Sequence, residues 1–174
     1  GIEGTALEFD GVNNYVRVPD SCSLDMMGSD EMTMEAWIYP IGYQPTESMI
    51  INKENSYEVF LTSNGEIKPA IRTSTTIWVE WYGISTGSFA PLNEWTHIAI
   101  VFDKDEVRTY KNGILVHTEI GYSGTLTDQP STFQIGFRES KADYPFHGII
   151  DEVRIFNRAL SEDEIKAYYE LTKP

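Results

Sequence analysis

Apolar and polar positions alternate along most of this chain with the period of two that an extended strand imposes. Met32 to Tyr39 shows it most cleanly: Met32, Met34, Ala36 and Ile38 fall on one face, Thr33, Glu35, Trp37 and Tyr39 on the other. The first face belongs in a core. Ile98 to Phe102 is a continuous apolar run, too short for a helix and rich in β-branched residues, which reads as a central strand covered on both sides. Asp103 to Glu106 is a polar turn, and Val107 to Lys111 returns. Asn112-Gly113 then supplies the two positive-φ residues of a tight hairpin, continued by Ile114 to Thr118. Trp95 and Tyr110 suit corner packing, ring buried and polar atom bonded.

The same punctuation predicts the remaining elements. Thr5 to Phe9 closes at Asp10-Gly11, Tyr15 to Val18 stops at Pro19, and Ser21 to Asp30 is a loop with room for one helical turn. After a loop at Ile41 to Glu47, short strands follow at Met49 to Asn52, Tyr57 to Thr62 and Glu66 to Arg72. Thr75 to Ser85 has the strongest intrinsic strand character in the chain. Thr132 to Phe137 and Phe146 to Phe156 are strands on either side of the charged loop Arg138 to Tyr144. A helix is predicted only at the end, where Ser161 and Glu164 form a capping box and Leu160, Ile165, Tyr168 and Tyr169 form an apolar stripe. About a dozen short strands and one terminal helix predict an all-β antiparallel sandwich, with residues 1–174 forming a single domain.

Composition narrows the partners. The 27 acidic against 13 basic residues give a net charge of −14, which disfavours nucleic acid because a phosphate backbone needs a basic surface. The lone Cys22 cannot form an internal disulfide, and no apolar run is long enough for membrane insertion. The histidines His97, His117 and His147 stand apart, without zinc or triad spacing, and each reads as a strand residue with a bonded ring nitrogen.

Four segments together resemble one family. L-E-F-D-G-V-N-N-Y-V-R-V-P from Leu7, M-T-M-E-A-W-I-Y-P from Met32, N-E-W-T-H-I-A-I-V-F-D with Y-K-N-G, and F-H-G-I-I-D-E-V-R-I-F-N-R-A-L-S-E-D-E-I from Phe146 are similar to laminin-G-like, concanavalin A-like lectin/glucanase domains. The resemblance implies a pentraxin-like jelly roll of two curved sheets, one of them concave. It also implies a structural calcium on Asp10, Asn13 and Asp151, tying the first strand to the last. Calcium chemistry suits such carboxylate, amide and turn oxygens. Asn14 stands where the family often has a second acid. The Arg138 to Asp143 loop carries two basic residues among its acids, so a pentraxin double-calcium face is not expected.

Glycoside hydrolysis needs two carboxyl groups flanking the scissile bond. Related sandwich glucanases carry them in an E-x-D-x-x-E arrangement, which is absent here, and Glu31 with Glu35 reads as a solvated pair. Sugar binding needs only flat rings and planar polar groups. Trp78-Val79-Glu80-Trp81-Tyr82 offers them: Trp78, Glu80 and Tyr82 share one strand face, with Arg72, Tyr57 and Tyr43 as neighbours, while Trp81 faces the core. The expected function is a non-catalytic carbohydrate-binding module of a larger extracellular or surface protein, its partner a glycan or polysaccharide. An adhesion module binding a surface protein is the alternative, and a glycoside hydrolase-related domain the third.

Overall fold

The computed structural model describes residues 1–2, 4–76, 83–127, 129–140 and 144–174. Among the described residues eleven strands and two helices run, in chain order, β1 (Leu7–Asp10), β2 (Val16–Val18), α1 (Cys22–Asp25), β3 (Glu31–Gly42), β4 (Glu47–Lys53), β5 (Tyr57–Thr62) and β6 (Ile67–Ile71). They continue with β7 (Thr96–Asp103), β8 (Glu106–Lys111), β9 (Ile114–Ile120), β10 (Phe133–Ile135), β11 (His147–Phe156) and α2 (Glu162–Thr172). The strands form two antiparallel sheets, one ordered β1-β11-β3-β7-β8-β9, the other β2-β10-β4-β5-β6.

The core between the sheets follows the alternation. Met32, Met34, Ala36 and Ile38 face inward from β3 and pair in register with residues of β7, Met34 opposite Ile100 and Ala36 opposite Ile98. From the other sheet come Ile51, Tyr57, Val59, Leu61, Ile67, Ile71 and Phe133. Gly148 lets β11 lie against β3: its φ is +147°, and a Cβ there would run into the Tyr39 carbonyl and Pro40. At the β8–β9 turn Asn112 and Gly113 both have positive φ, as the tight hairpin requires.

Helix α2 lies on the outer face of the six-stranded sheet. Ala99, Val101 and Tyr110 pack against Leu160 and Ile165, and the Trp37 indole Nε1 donates to Thr172 Oγ1 at 3.1 Å. The capping box forms: Ser161 Oγ accepts from the Glu164 N–H, and the Ser161 N–H donates to the Glu164 carboxylate. Helix α1 is fixed differently. The fully buried Lys53 ammonium reaches Asp20 at 2.7 Å and Asp25 at 3.2 Å, and the Tyr57 hydroxyl donates to the Leu24 carbonyl at 2.7 Å. No helix among the described residues is long and apolar enough to cross a membrane.

Two side chains on the six-stranded sheet differ from the sequence expectation. Glu35 is not solvated: α2 covers that face of β3, and the side chain is 1% exposed. His97 has no hydrogen-bond partner on either ring nitrogen among the described residues.

Candidate functional site

On the five-stranded sheet the alternation that sends Ile51, Tyr57, Val59 and Phe133 inward sends their neighbours outward. Register places Arg17, Gln134, Asn52, Glu58 and Ala70 in one row across all five strands. A polar row is what strand periodicity leaves on a face that does not join the core. All but Arg17 are nonetheless buried, and residues of the segment after β10 bond to Glu58 and Gln134. Arg138 is 6% exposed and fork-bonds Glu54, with Nε 2.9 Å from Oε2 and Nη2 2.5 Å from Oε1, while Nη1 donates to Glu58 at 3.3 Å. Asn52 donates to Gln134 at 2.9 Å, and Gln134 exchanges hydrogen bonds with both the backbone and the side chain of Glu139.

Such a face is rigid because its charges are mutually satisfied. Burial alone would lower the Arg138 pKa, but the Glu54 hydrogen bonds and the Glu58 and Glu54 charges reverse this and hold it above the ordinary arginine value. A pocket opens beside this arginine, lined by Asn55, Glu58, Ala70, Arg72 and Arg138 among others. Arg72 brings to it a donor of another kind: its Nε is buried and has no hydrogen-bond partner among the described residues. Gly83 lies close against β5 and β6: a Cβ there would meet the Phe60 ring and Lys68.

The six expected ligand residues are only partly brought together. Arg72 lines the pocket. Tyr57 also contributes to the pocket wall, but its ring is fully buried between the sheets. Tyr43 packs at the opposite end of β6, its ring against Gly65 and its hydroxyl donating to the Ala90 carbonyl at 2.6 Å; burial raises its pKa. Trp78, Glu80 and Tyr82, with Trp81, lie outside the described residues, and no strand is formed by Thr75, Thr76 or Gly83 to Ser85 on either side. Arg138, Glu54, Glu58, Asn52 and Gln134 were not singled out from the sequence. The signal was there, in polar residues alternating with Ile51, Val59 and Phe133 in three strands.

The expected calcium ligands do not converge. Asp10 pairs with His147 in the β1–β11 ladder, and Asp151 lies four residues further along β11, about 14 Å away at 3.4 Å per residue. Around Asp10 the converging groups are donors: Oδ1 accepts the N–H groups of Val12, Asn13 and Asn14 at 2.9, 3.1 and 3.2 Å. The first two of these bonds hold its carboxyl below the usual aspartate range. Asp151 is engaged as well, by the N–H groups of Ile2 at 2.6 Å and Glu152 at 2.9 Å. A calcium ion needs several oxygens converging within about 2.3–2.6 Å, and Asp10, Asn13 and Asp151 do not fit one shared ion. Among the described residues no three His, Cys, Asp or Glu side chains cluster as metal ligands would.

Among solved structures, the chain is similar to domain 4 of AbnA, a GH43 extracellular arabinanase from Geobacillus stearothermophilus, determined in complex with arabinotriose. That likeness has a TM-score of 0.75 and 22% identity over 99% of this chain and 79% of the other. The native heptameric SAP-like pentraxin from Limulus polyphemus matches with a TM-score of 0.69 and 15% identity over 97% and 83%. The binding domain of botulinum neurotoxin DC, in complex with rat synaptotagmin II, matches with a TM-score of 0.66 and 14% identity over 91% of this chain and 40% of that one. At these identities the likeness is one of fold. No curated protein matches the chain. The family profile described as the concanavalin A-like lectin/glucanases superfamily matches residues 10–166, and with the two stacked antiparallel sheets this makes the chain a laminin-G-like member of that superfamily.

Proposed function

We propose that this chain is a non-catalytic carbohydrate-binding module whose contact surface is the polar outer face of the five-stranded sheet, centred on the Arg72 pocket. One observation carries the reading: a buried Arg72 Nε without a partner among the described residues, beside an Arg138 already locked to Glu54 and Glu58. Fixed donors and acceptors of cancelling charge suit neutral hydroxyl groups, which need orientation without a counter-charge. The domain of the extracellular arabinanase bound to arabinotriose supports a sugar as the ligand class. The non-catalytic assignment rests on Glu54 and Glu58, both of which are engaged by one arginine; a hydrolase would need one carboxyl free to give a proton and another free to attack or to activate water. By the same likeness, the module serves a larger extracellular or surface protein.

Calorimetric titration of the purified chain with neutral oligosaccharides, arabinotriose first, tests this. Saturable binding that Arg72→Ala weakens by about tenfold or more is expected, since a hydrogen bond from a charged donor contributes roughly 1.5–3 kcal/mol. No binding by any glycan in a broad panel would overturn it. An adhesion role is favoured by a separate observation, the edge strand β9, whose Ile114, Leu115, Val116 and Ile120 are exposed. Capture of a surface protein that Ile114→Lys abolishes and Arg72→Ala spares would transfer the function to that edge.

A further inference from the structure

On the outer face of the six-stranded sheet, beneath α2, two titratable side chains are sealed from water without hydrogen bonds. Glu35 on β3 is 1% exposed and His97 on β7 is 0% exposed. Their nearest atoms, Oε1 and Nε2, are 3.8 Å apart, beyond hydrogen-bond reach, and neither the carboxylate oxygens nor the ring nitrogens have a partner among the described residues. Aromatic rings pack around His97: Trp37 at 5.3 Å, Tyr168 at 5.5 Å and Tyr169 at 6.2 Å between centroids.

The other charged and titratable groups on the surrounding elements have their own partners. Arg154 on β11 stands opposite Glu35 in register, but its guanidinium lies 3.5 Å over the Tyr168 ring and 3.4 Å from Glu152. Tyr168 donates to Glu152, Asp151 takes the Ile2 and Glu152 N–H groups, and Glu164 of α2 is fork-bonded by Arg158. On β8, Arg108 is paired with Asp103 and Glu106, and Tyr110 is packed beneath α2. On β3, Glu31 accepts from the Ala159 N–H. The environment of the pair is apolar and aromatic apart from Arg154, whose charge opposes burial at Glu35 and adds to it at His97; burial is the larger effect at both, and it makes a lone charge more costly than a neutral acid beside a neutral base.

We propose that Glu35 and His97 exchange one proton when α2 seats, the imidazolium of the open chain giving its proton to the carboxylate, so that closure neither takes up nor releases protons. Before and after, the pair holds one proton; an ion pair in water becomes a neutral pair in the interior. Burial supports this distribution, pushing Glu35 up from 4.5 to about 7 and His97 down from 6.5 to about 4. The sign follows from each group in turn. The raised Glu35 stabilises closure below pH 4.5 and loses that contribution as pH rises to about 7. The depressed His97 stabilises closure above pH 6.5 and loses that contribution as pH falls to about 4. Between pH 4.5 and 6.5 the two slopes are opposite and equal, and α2 docking is insulated from pH.

Hydrogen exchange of the α2 amides between pH 4 and 8, compared across wild type, Glu35→Gln, His97→Gln and the double variant, tests the exchange; the contributions of other carboxylates are common to all four. Glu35→Gln should open α2 about 80-fold more readily at pH 4 than at 6.5, and His97→Gln about 80-fold more readily at pH 7 than at 4.5, each relative to the double variant. Wild type should change about threefold or less over the whole range by the same measure. Single variants that follow the double variant would overturn the proposal. Should the variants not fold, the carbonyl stretch of the wild-type protein at pH 5.5 decides: a protonated buried carboxyl is expected, and only ionised carboxylate would overturn it.

Discussion

The outer faces of the two sheets solve one problem in opposite ways. Each must dispose of the polar residues that strand alternation leaves behind. On the five-stranded sheet the side chains satisfy one another, Arg138 with Glu54 and Glu58, Asn52 with Gln134, and the face is kept polar beside a pocket. On the six-stranded sheet a helix covers the face and leaves Glu35 and His97 enclosed without hydrogen bonds among the described residues. The difference teaches where function and stability are divided: the covered face contributes mainly apolar burial, and the paired face can offer fixed polar groups to a ligand.

Trp37→Ala should break the covered face. The ring is 1% exposed, stacks on Tyr169 at 5.7 Å and anchors Thr172, so its loss should cost roughly 3–5 kcal/mol in denaturant titration, with α2 becoming protease-sensitive first. Arg138→Ala is the corresponding injury to the paired face. It takes the shared cation away from two mostly buried carboxylates and should cost roughly 3 kcal/mol, with loss of sugar binding in the same preparation. Ser161→Ala removes only the helix cap and should cost about 1 kcal/mol in the same titration, while binding is retained. Arg72→Ala should leave stability within about 0.5 kcal/mol and weaken the sugar, a separation of effects that no substitution beneath α2 should reproduce. Smallest of all, excess calcium against chelator should not move the melting temperature. A concentration-dependent rise would show that the folded chain does bind calcium.

The architecture was legible because it depends on local alternation and turn chemistry: the inward methionines of β3, Asn112-Gly113 and the Ser161 capping box are where their sequence puts them. What one strand cannot reveal is what covers its second face. Glu35 reads as solvated until α2, more than 120 residues later, is seen to lie across it. Tyr57 and Tyr43 failed as wet-face rings for a related reason, since aromatic character fits a core and a binding face equally well and only register distinguishes them. The polar pocket was illegible because β5, β6 and the segment after β10 each supply part of it, and a motif search looks along the chain. Asp10 and Asp151 belong to strands that do pair; the resemblance could not show that they stand at different levels of that ladder.

That pairing of β1 with β11 also dictates an order of assembly. The ladder joins residues about 140 positions apart, so its loop-closure entropy is met only after most of the chain exists. During synthesis the hairpins β4–β5–β6 and β7–β8–β9 can form from neighbouring segments as they emerge, but one edge of β3 waits for β11, and β1 waits with it. A nascent chain stopped before His147 would therefore hold its first strand without a partner. Ribosome-bound intermediates of increasing length should acquire native resistance to proteolysis in one late step, when His147 to Phe156 clears the exit tunnel.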